Sequence, residues 1–299
     1  DKAAGRIDQP DQGLQPDAQH LIQPSMPNPA PLTDRTALSQ HRARARQGKP
    51  ALFLHEAARD EVQDRLMMVN RTFTDVAVVT PAAEIWADAL PGAKIGSDDE
   101  TLDLQEGAHD LVIHSLALHW ANDPVGQLIQ CRRALRADGL CIVMAFGGQT
   151  LHELRAALGQ AEIDVTGGLS PRVLPMGEIR DLGGLLQRAG FALPVADSLP
   201  LTASYGSALS LMQDLRAMGE TNALAARLRH PTRRAVMLRA AEIYAQNFGT
   251  DDGRVPATFE IVTLTGWAPD ESQQKPLRPG SAAHRLADIL NTQETPLKD

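Results

Sequence analysis

The sequence predicts an α/β fold built on an open parallel sheet, and three observations in the middle of the chain carry that prediction. Asp110 to Leu116 is a nearly unbroken run of large aliphatics, the pattern of a strand covered on both faces. Val125, Leu128, Ile129 and Leu135 then recur at helical spacing, with Asn122 or Asp123 placed to cap the helix and Pro124 suited to its first turn. Asp138-Gly139 is expected to stop that helix, and Leu140 to Phe146 is a second apolar strand. A crossover of this kind within one sheet is right-handed and parallel. It puts the loop His119-Trp120-Ala121-Asn122-Asp123 at the carboxyl edge, where open α/β sheets bind their ligands.

Taken in order, residues 1–33 are rich in Gln, Asp and Pro and poor in large apolar side chains, so they are expected to be disordered. Met26 is a candidate natural start. The basic run His41-Arg42-Ala43-Arg44-Ala45-Arg46 reads as a solvated helix face, with a partner contact as the alternative. Ala58, Val62, Leu66 and Val69 share one face and predict a helix from His55 to Val69. Thr74 to Thr80 is the first strand, and between Asp75 and Asp110 there is room for one βαβ unit, which takes about 30 residues. That unit is expected as a short helix from Ala82 to Leu90, ended by Pro91-Gly92, and a strand from Ala93 to Ser97 that leads into Asp98-Asp99-Glu100.

Past the central unit, Thr150 to Ala161 and Met176 to Ala189 read as helices, and Phe191 to Tyr205 as one or two strands. Ala208 to Met218 and Arg233 to Phe248 are helical, and Ala257 to Trp267, with its Thr, Phe, Ile and Val content, is a strand. The expected organisation is one domain over residues 34–267, with a helical insertion at about 206–250, then a polar tail over 268–299 holding a short helix from Ala283 to Leu290.

A length of 299 residues and a hydrophobic content of 43% support a sizeable core. The net charge of -8 argues against general affinity for nucleic acid or anionic membrane. Cys131 and Cys141 lack metal-ligand spacing and argue against a disulfide framework, which fits a reducing compartment. The apolar runs are strand-length, short of the roughly 20 residues that span a bilayer, and no signal-peptide pattern opens the chain, so a cytoplasmic location is expected.

Asp110-Leu111-Val112, Leu118-His119-Trp120, Asp123-Pro124, Arg133-Ala134-Leu135, Asp138-Gly139 and Phe146-Gly147 occur in an order that resembles class I S-adenosylmethionine-dependent methyltransferases, from their fourth to their fifth strand. Within that superfamily the Leu-His-Trp loop and Thr150-Leu151-His152-Glu153-Leu154 resemble the branch that holds the biotin-pathway carrier-protein methyltransferases and the mitochondrial complex I assembly factors of methyltransferase fold. Met218-Gly219-Glu220-Thr221-Asn222, Val255-Pro256-Ala257-Thr258-Phe259 and Gly266-Trp267 favour the assembly-factor group. The resemblance implies a doubly wound, Rossmann-like methyltransferase sheet with a helical insertion before its last strand. It also marks a departure. The family needs a glycine-rich turn after its first strand and an acid ending its second, whereas here that strand runs into Val78-Val79-Thr80-Pro81-Ala82-Ala83-Glu84 without a glycine. The N-terminal, cofactor-binding half is thus expected to be shortened, lacking the second strand with its acid.

By resemblance Asp98, Asp99, Ser115 and Leu116 are the candidate contacts to S-adenosylmethionine, and His119, Trp120 and Glu153 the candidate substrate-binding residues; Trp120 can equally be a packing plug. Catalytic residues are not assigned. His109, His114 and His119 recur every five residues, which puts neighbours on opposite faces of a strand and argues against a metal cluster. Gly147-Gly148 is either an anion cradle or a plain turn. Three functions compete: a client-binding assembly factor or pseudo-enzyme whose client is a respiratory complex I subunit, an active methyltransferase acting on a carboxylate or protein side chain through a remodelled loop, and an arginine hydroxylase, to which the assembly-factor group is linked. An enzyme should hold a continuous pocket from Asp98 to Trp120, whereas in a binding module Trp86 or Ile85 should fill that space.

Overall fold

The computed structural model describes residues 30–274. Six strands form one sheet: β1 (Val76–Val79), β2 (Lys94–Gly96), β3 (His109–Ser115), β4 (Leu135–Phe146), β5 (Ala192–Tyr205) and β6 (Val255–Trp267), in the order β2-β1-β3-β4-β6-β5. The four strands from β2 to β4 run parallel, and β6 and β5 close the sheet antiparallel. Helices cover both faces. On one lie α2 (Phe53–Met68), α3 (Ala83–Ala87), α5 (His152–Thr166), α7 (Ala208–Met218) and α8 (Arg234–Phe248), whose apolar sides meet Val78, Leu111, Ile113 and Ile142. On the other, α4 (Pro124–Ala134) and α6 (Ile179–Arg188) cover Val79, Val112, Val143 and Val262. A further helix, α1 (Arg35–Gln47), contributes Ala37 and Leu38 to a small cluster with Trp120 and Leu174.

The expected elements form for the reasons their residues suggest. The apolar run at the centre becomes β3, buried along its whole length. Asp123, rather than Asn122, caps α4: its carboxylate accepts the Gly126 N–H at 2.8 Å, and Pro124 follows in the first turn. Asn122 instead accepts the Thr33 N–H at 2.8 Å and donates to Glu100 at 2.9 Å. The helical insertion appears as α7 and α8 between β5 and β6. Phe191 to Tyr205 yields a single long strand, because β6 pairs with it almost end to end.

Three expectations are corrected. Asp138-Gly139 does not end α4, which stops at Ala134; it forms a bulge inside β4, where the register steps from His109↔Leu135 to Leu111↔Leu140 and Asp138 takes a φ of 57°. Thr33, placed in the disordered segment, is buried and bridges Leu224, so ordered chain begins before residue 34. The run from His41 to Arg46 lies in α1, but Arg42 within it is buried and not solvated. Residues 1–29 and the tail helix expected from Ala283 lie outside the described residues.

Candidate functional site

Where β1 meets the carboxyl edge, Pro81 removes a backbone donor and the strand stops after four residues. Thr80 Oγ accepts the Ala82 N–H at 3.1 Å, and the short helix α3 swings Trp86 into the core, where it is fully buried beside Leu54 and Ala58. At the end of β2, Asp98 also turns inward. Its carboxylate receives Arg42 at 2.7 Å and Arg35 at 3.1 Å, two residues seven apart on one face of α1. Burial pushes the Asp98 carboxyl up, but Arg42 and Arg35 outweigh it and hold it below its ordinary value. Asp99 behaves differently, facing solvent with its side chain on the Ser97 hydroxyl. Ser115 ends β3 and Leu116 follows it, both buried, with Leu116 at a φ of 46°.

A second buried group follows in the loop after β3. Trp120 Nε1 donates to the Glu220 carboxylate at 2.6 Å, and His119 Nε2 lies 3.4 Å from the same oxygen while its ring packs at a tilt against Phe146, centroids 4.7 Å apart. Glu220 enters from the turn after α7. Burial pushes its carboxyl up, but His119, Arg42 and Trp120 outweigh burial and hold it below its ordinary value, so it stays ionised. His55, on α2, feels the charges of both Glu220 and Arg42, but burial dominates and depresses it to about 4. It is neutral in the folded protein.

Beyond Trp120 opens a cavity of about 810 Å³, walled by α5, α7 and the loops that precede α6 and α8. Its lining includes the buried Leu154, Leu158, Leu215 and Phe259, together with Trp120 and Glu220. Asp98, Ser115 and Leu116 do not line it. Of the stretch from Asp98 to Trp120 that an enzyme should keep open, Trp120 lines this cavity, and Trp86 and Ile85 are buried in the core.

The structure thus brings His119 and Trp120 to one buried cluster, with Trp120 at the cavity, and leaves Glu153 apart. Its carboxylate faces β6, accepting the Thr258 N–H at 3.1 Å and the Thr258 hydroxyl, which ties α5 to the sheet. Gly147-Gly148 makes the plain turn: side chains there would collide with Glu260 and Glu178, and two carboxylates do not cradle an anion. His114 pairs with Gln127 at 2.9 Å, away from His119. Among the described residues no three His, Cys, Asp or Glu side chains gather to hold a metal ion, and no helix is long and apolar enough to cross a membrane. Arg35, Arg42 and Glu220 escaped the sequence reading as site residues. The seven-residue spacing of the two arginines was the available signal.

Comparison with known proteins places these elements in context. The methyltransferase domain family matches residues 61–143. The protein of Danio rerio named arginine-hydroxylase NDUFAF5, mitochondrial, is 41% identical over 200 residues, which cover 67% of this chain and 62% of that protein. Its Homo sapiens namesake is 41% identical over 202 residues, covering 67% and 58%. A malonyl-[acyl-carrier protein] O-methyltransferase of Laribacter hongkongensis is 37% identical over 188 residues, covering 63% and 61%. The match thus spans about three fifths of the length of each of these relatives.

Proposed function

Because this chain belongs to the class I methyltransferase superfamily, we propose that it is an assembly-factor-type member that binds a protein client, while its own side chains take up the nucleoside position. The observation that carries this reading is the ion pair of Asp98 with Arg35 and Arg42. A carboxylate so neutralised has no charge left for a ligand, and the helix that supplies the arginines covers the loop. The turn after β1 supports the same reading: it lacks glycine, contains Pro81, and leads directly to the buried Trp86. On this reading the residues of the closed edge do not fit S-adenosylmethionine. By likeness to the assembly-factor group the client is a respiratory complex I subunit, engaged by the helical half of the domain.

Calorimetric titration of the full chain with S-adenosylmethionine and with its demethylated product tests the reading. The expected result is no binding at millimolar ligand. Micromolar binding of either compound overturns it and favours an active methyltransferase with a carboxylate or a protein side chain as acceptor.

A further inference from the structure

We propose that the cavity beyond Trp120 holds a linear aliphatic carboxylate, with its chain along the buried wall and its head at the mouth. The wall supplies the apolar part. Leu154, Leu158, Leu174 and Phe259 are buried, and Met212 and Met237 add flexible thioethers that adapt to a chain. A volume of about 810 Å³ lies within the usual range for small-molecule sites.

The mouth supplies the sign. In a chain of net charge -8, the cavity is lined by Arg44, Arg172, Arg216, Arg227 and Arg229 against one carboxylate among the described residues, Glu220, which is half-buried and already engaged by Trp120 and His119. Arg172 is neutralised by Glu162 and Arg227 by Asp34, whereas Arg44 and Arg216 have no acidic partner among the described residues. These groups converge. His41, also on the rim, is held below its ordinary value first by burial, against a hydrogen bond to Thr221, and then by the charges of Arg44, Arg227 and Arg216. Guanidinium groups pair with carboxylates through two parallel hydrogen bonds, so the mouth is suited to an anionic head. Glu220, already engaged by Trp120 and His119, repels that head and leaves it to the arginines. A cationic side chain would meet like charge at the mouth.

This inference goes beyond the client-binding reading and does not rest on it, since the cavity excludes Asp98 and the closed edge. The test is calorimetric titration of the full chain with sodium laurate, sodium octanoate and dodecylamine, each below its micellar concentration. Laurate is expected to bind in the micromolar range, and dodecylamine at least tenfold more weakly. Each methylene lost weakens binding about fourfold, so octanoate should bind far less tightly than laurate. Arg216→Glu should weaken laurate binding at least tenfold, and Met212→Trp, which fills the cavity, should abolish it. Arg216 is exposed, so this variant keeps the test decisive even if Met212→Trp fails to fold. Absence of laurate binding, equal binding of laurate and dodecylamine, or an Arg216→Glu protein with unchanged laurate affinity would overturn the proposal. Laurate binding without S-adenosylmethionine binding, or the reverse, separates its fate from that of the client-binding reading.

Discussion

At one end of the sheet, strands of four and three residues lead into an edge sealed by Asp98, Arg35 and Arg42; at the other, strands of twelve and thirteen residues stand beside an open cavity. The first region lies at the carboxyl ends of the parallel β1 and β2, where ligands usually bind, and the second at the carboxyl end of β4, where the antiparallel β6 enters. The difference follows from what covers them. Over β1 and β2, α3 buries Trp86 in the core, and α1 sets two guanidinium groups on Asp98. Over β4 and β6 the long strands carry a helical insertion, and α5 and α7 enclose space between them. A buried ion pair contributes little net stability, because desolvation of both charges offsets their attraction. Its consequence here is a fixed docking position for α1.

The comparison breaks first at Trp86. Truncation to alanine removes a fully buried ring and should lower stability by about 3–5 kcal/mol in urea unfolding. A small loss accompanied by new binding of S-adenosylmethionine would mean that the ring is a removable lid and that the closed half is a latent site. Arg42→Ala should cost about 3 kcal/mol, because it leaves the buried Asp98 carboxylate with Arg35 as its remaining ionic partner. Adding Asp98→Asn should return part of that loss. A double-mutant cycle measures the coupling, and a coupling near zero would remove the seal from the account of this edge.

The central strand–helix–strand unit was legible because local signals coincide there: aliphatic runs, a cap, Pro124 and a helical stripe all agree. The helices of the insertion were legible to within a residue at their ends for the same reason. Asp138-Gly139 misled because a turn signal does not distinguish a helix stop from a bulge inside a strand, and pairing with β3 decides it. The closed edge was half legible. The missing glycines can be read directly, but the ion pairs of Asp98 join residues 63 and 56 positions apart, and the seven-residue spacing of the arginines marks a shared helix face without naming its partner. Glu153 differs in kind: a motif match gave it a ligand role, and its hydrogen bonds to Thr258, 105 positions away, tie α5 to β6.

His55 lies between the two regions and feels Arg42 from one and Glu220 from the other. Burial depresses its folded pKa to about 4, against an unfolded value near 6.5. The unfolded chain therefore binds more protons between these values, and the stability that a neutral His55 contributes is full above pH 6.5 and lost as the pH falls toward 4. Between pH 7 and pH 5 the loss from this group should be about 2 kcal/mol. Burial shifts His114, His109 and His41 the same way, so the difference between the wild-type and His55→Leu curves isolates the His55 share. Parallel curves would mean that water reaches His55 and that the boundary between the regions is open.

The smallest effect is expected at Glu153, and it sharpens the comparison most directly on the open side. Glu153→Gln keeps the shape of the side chain and removes its charge, so the bonds from Thr258 weaken without leaving a hole. A neutral acceptor in place of a charged one should cost about 1 kcal/mol, read from the urea midpoint. Because the carboxylate faces β6 and does not line the cavity, laurate affinity should be unchanged. Loss of laurate binding with an unaltered midpoint would assign Glu153 to the ligand and not to the sheet. The division between a tied wall and an open cavity would then have to be redrawn through α5.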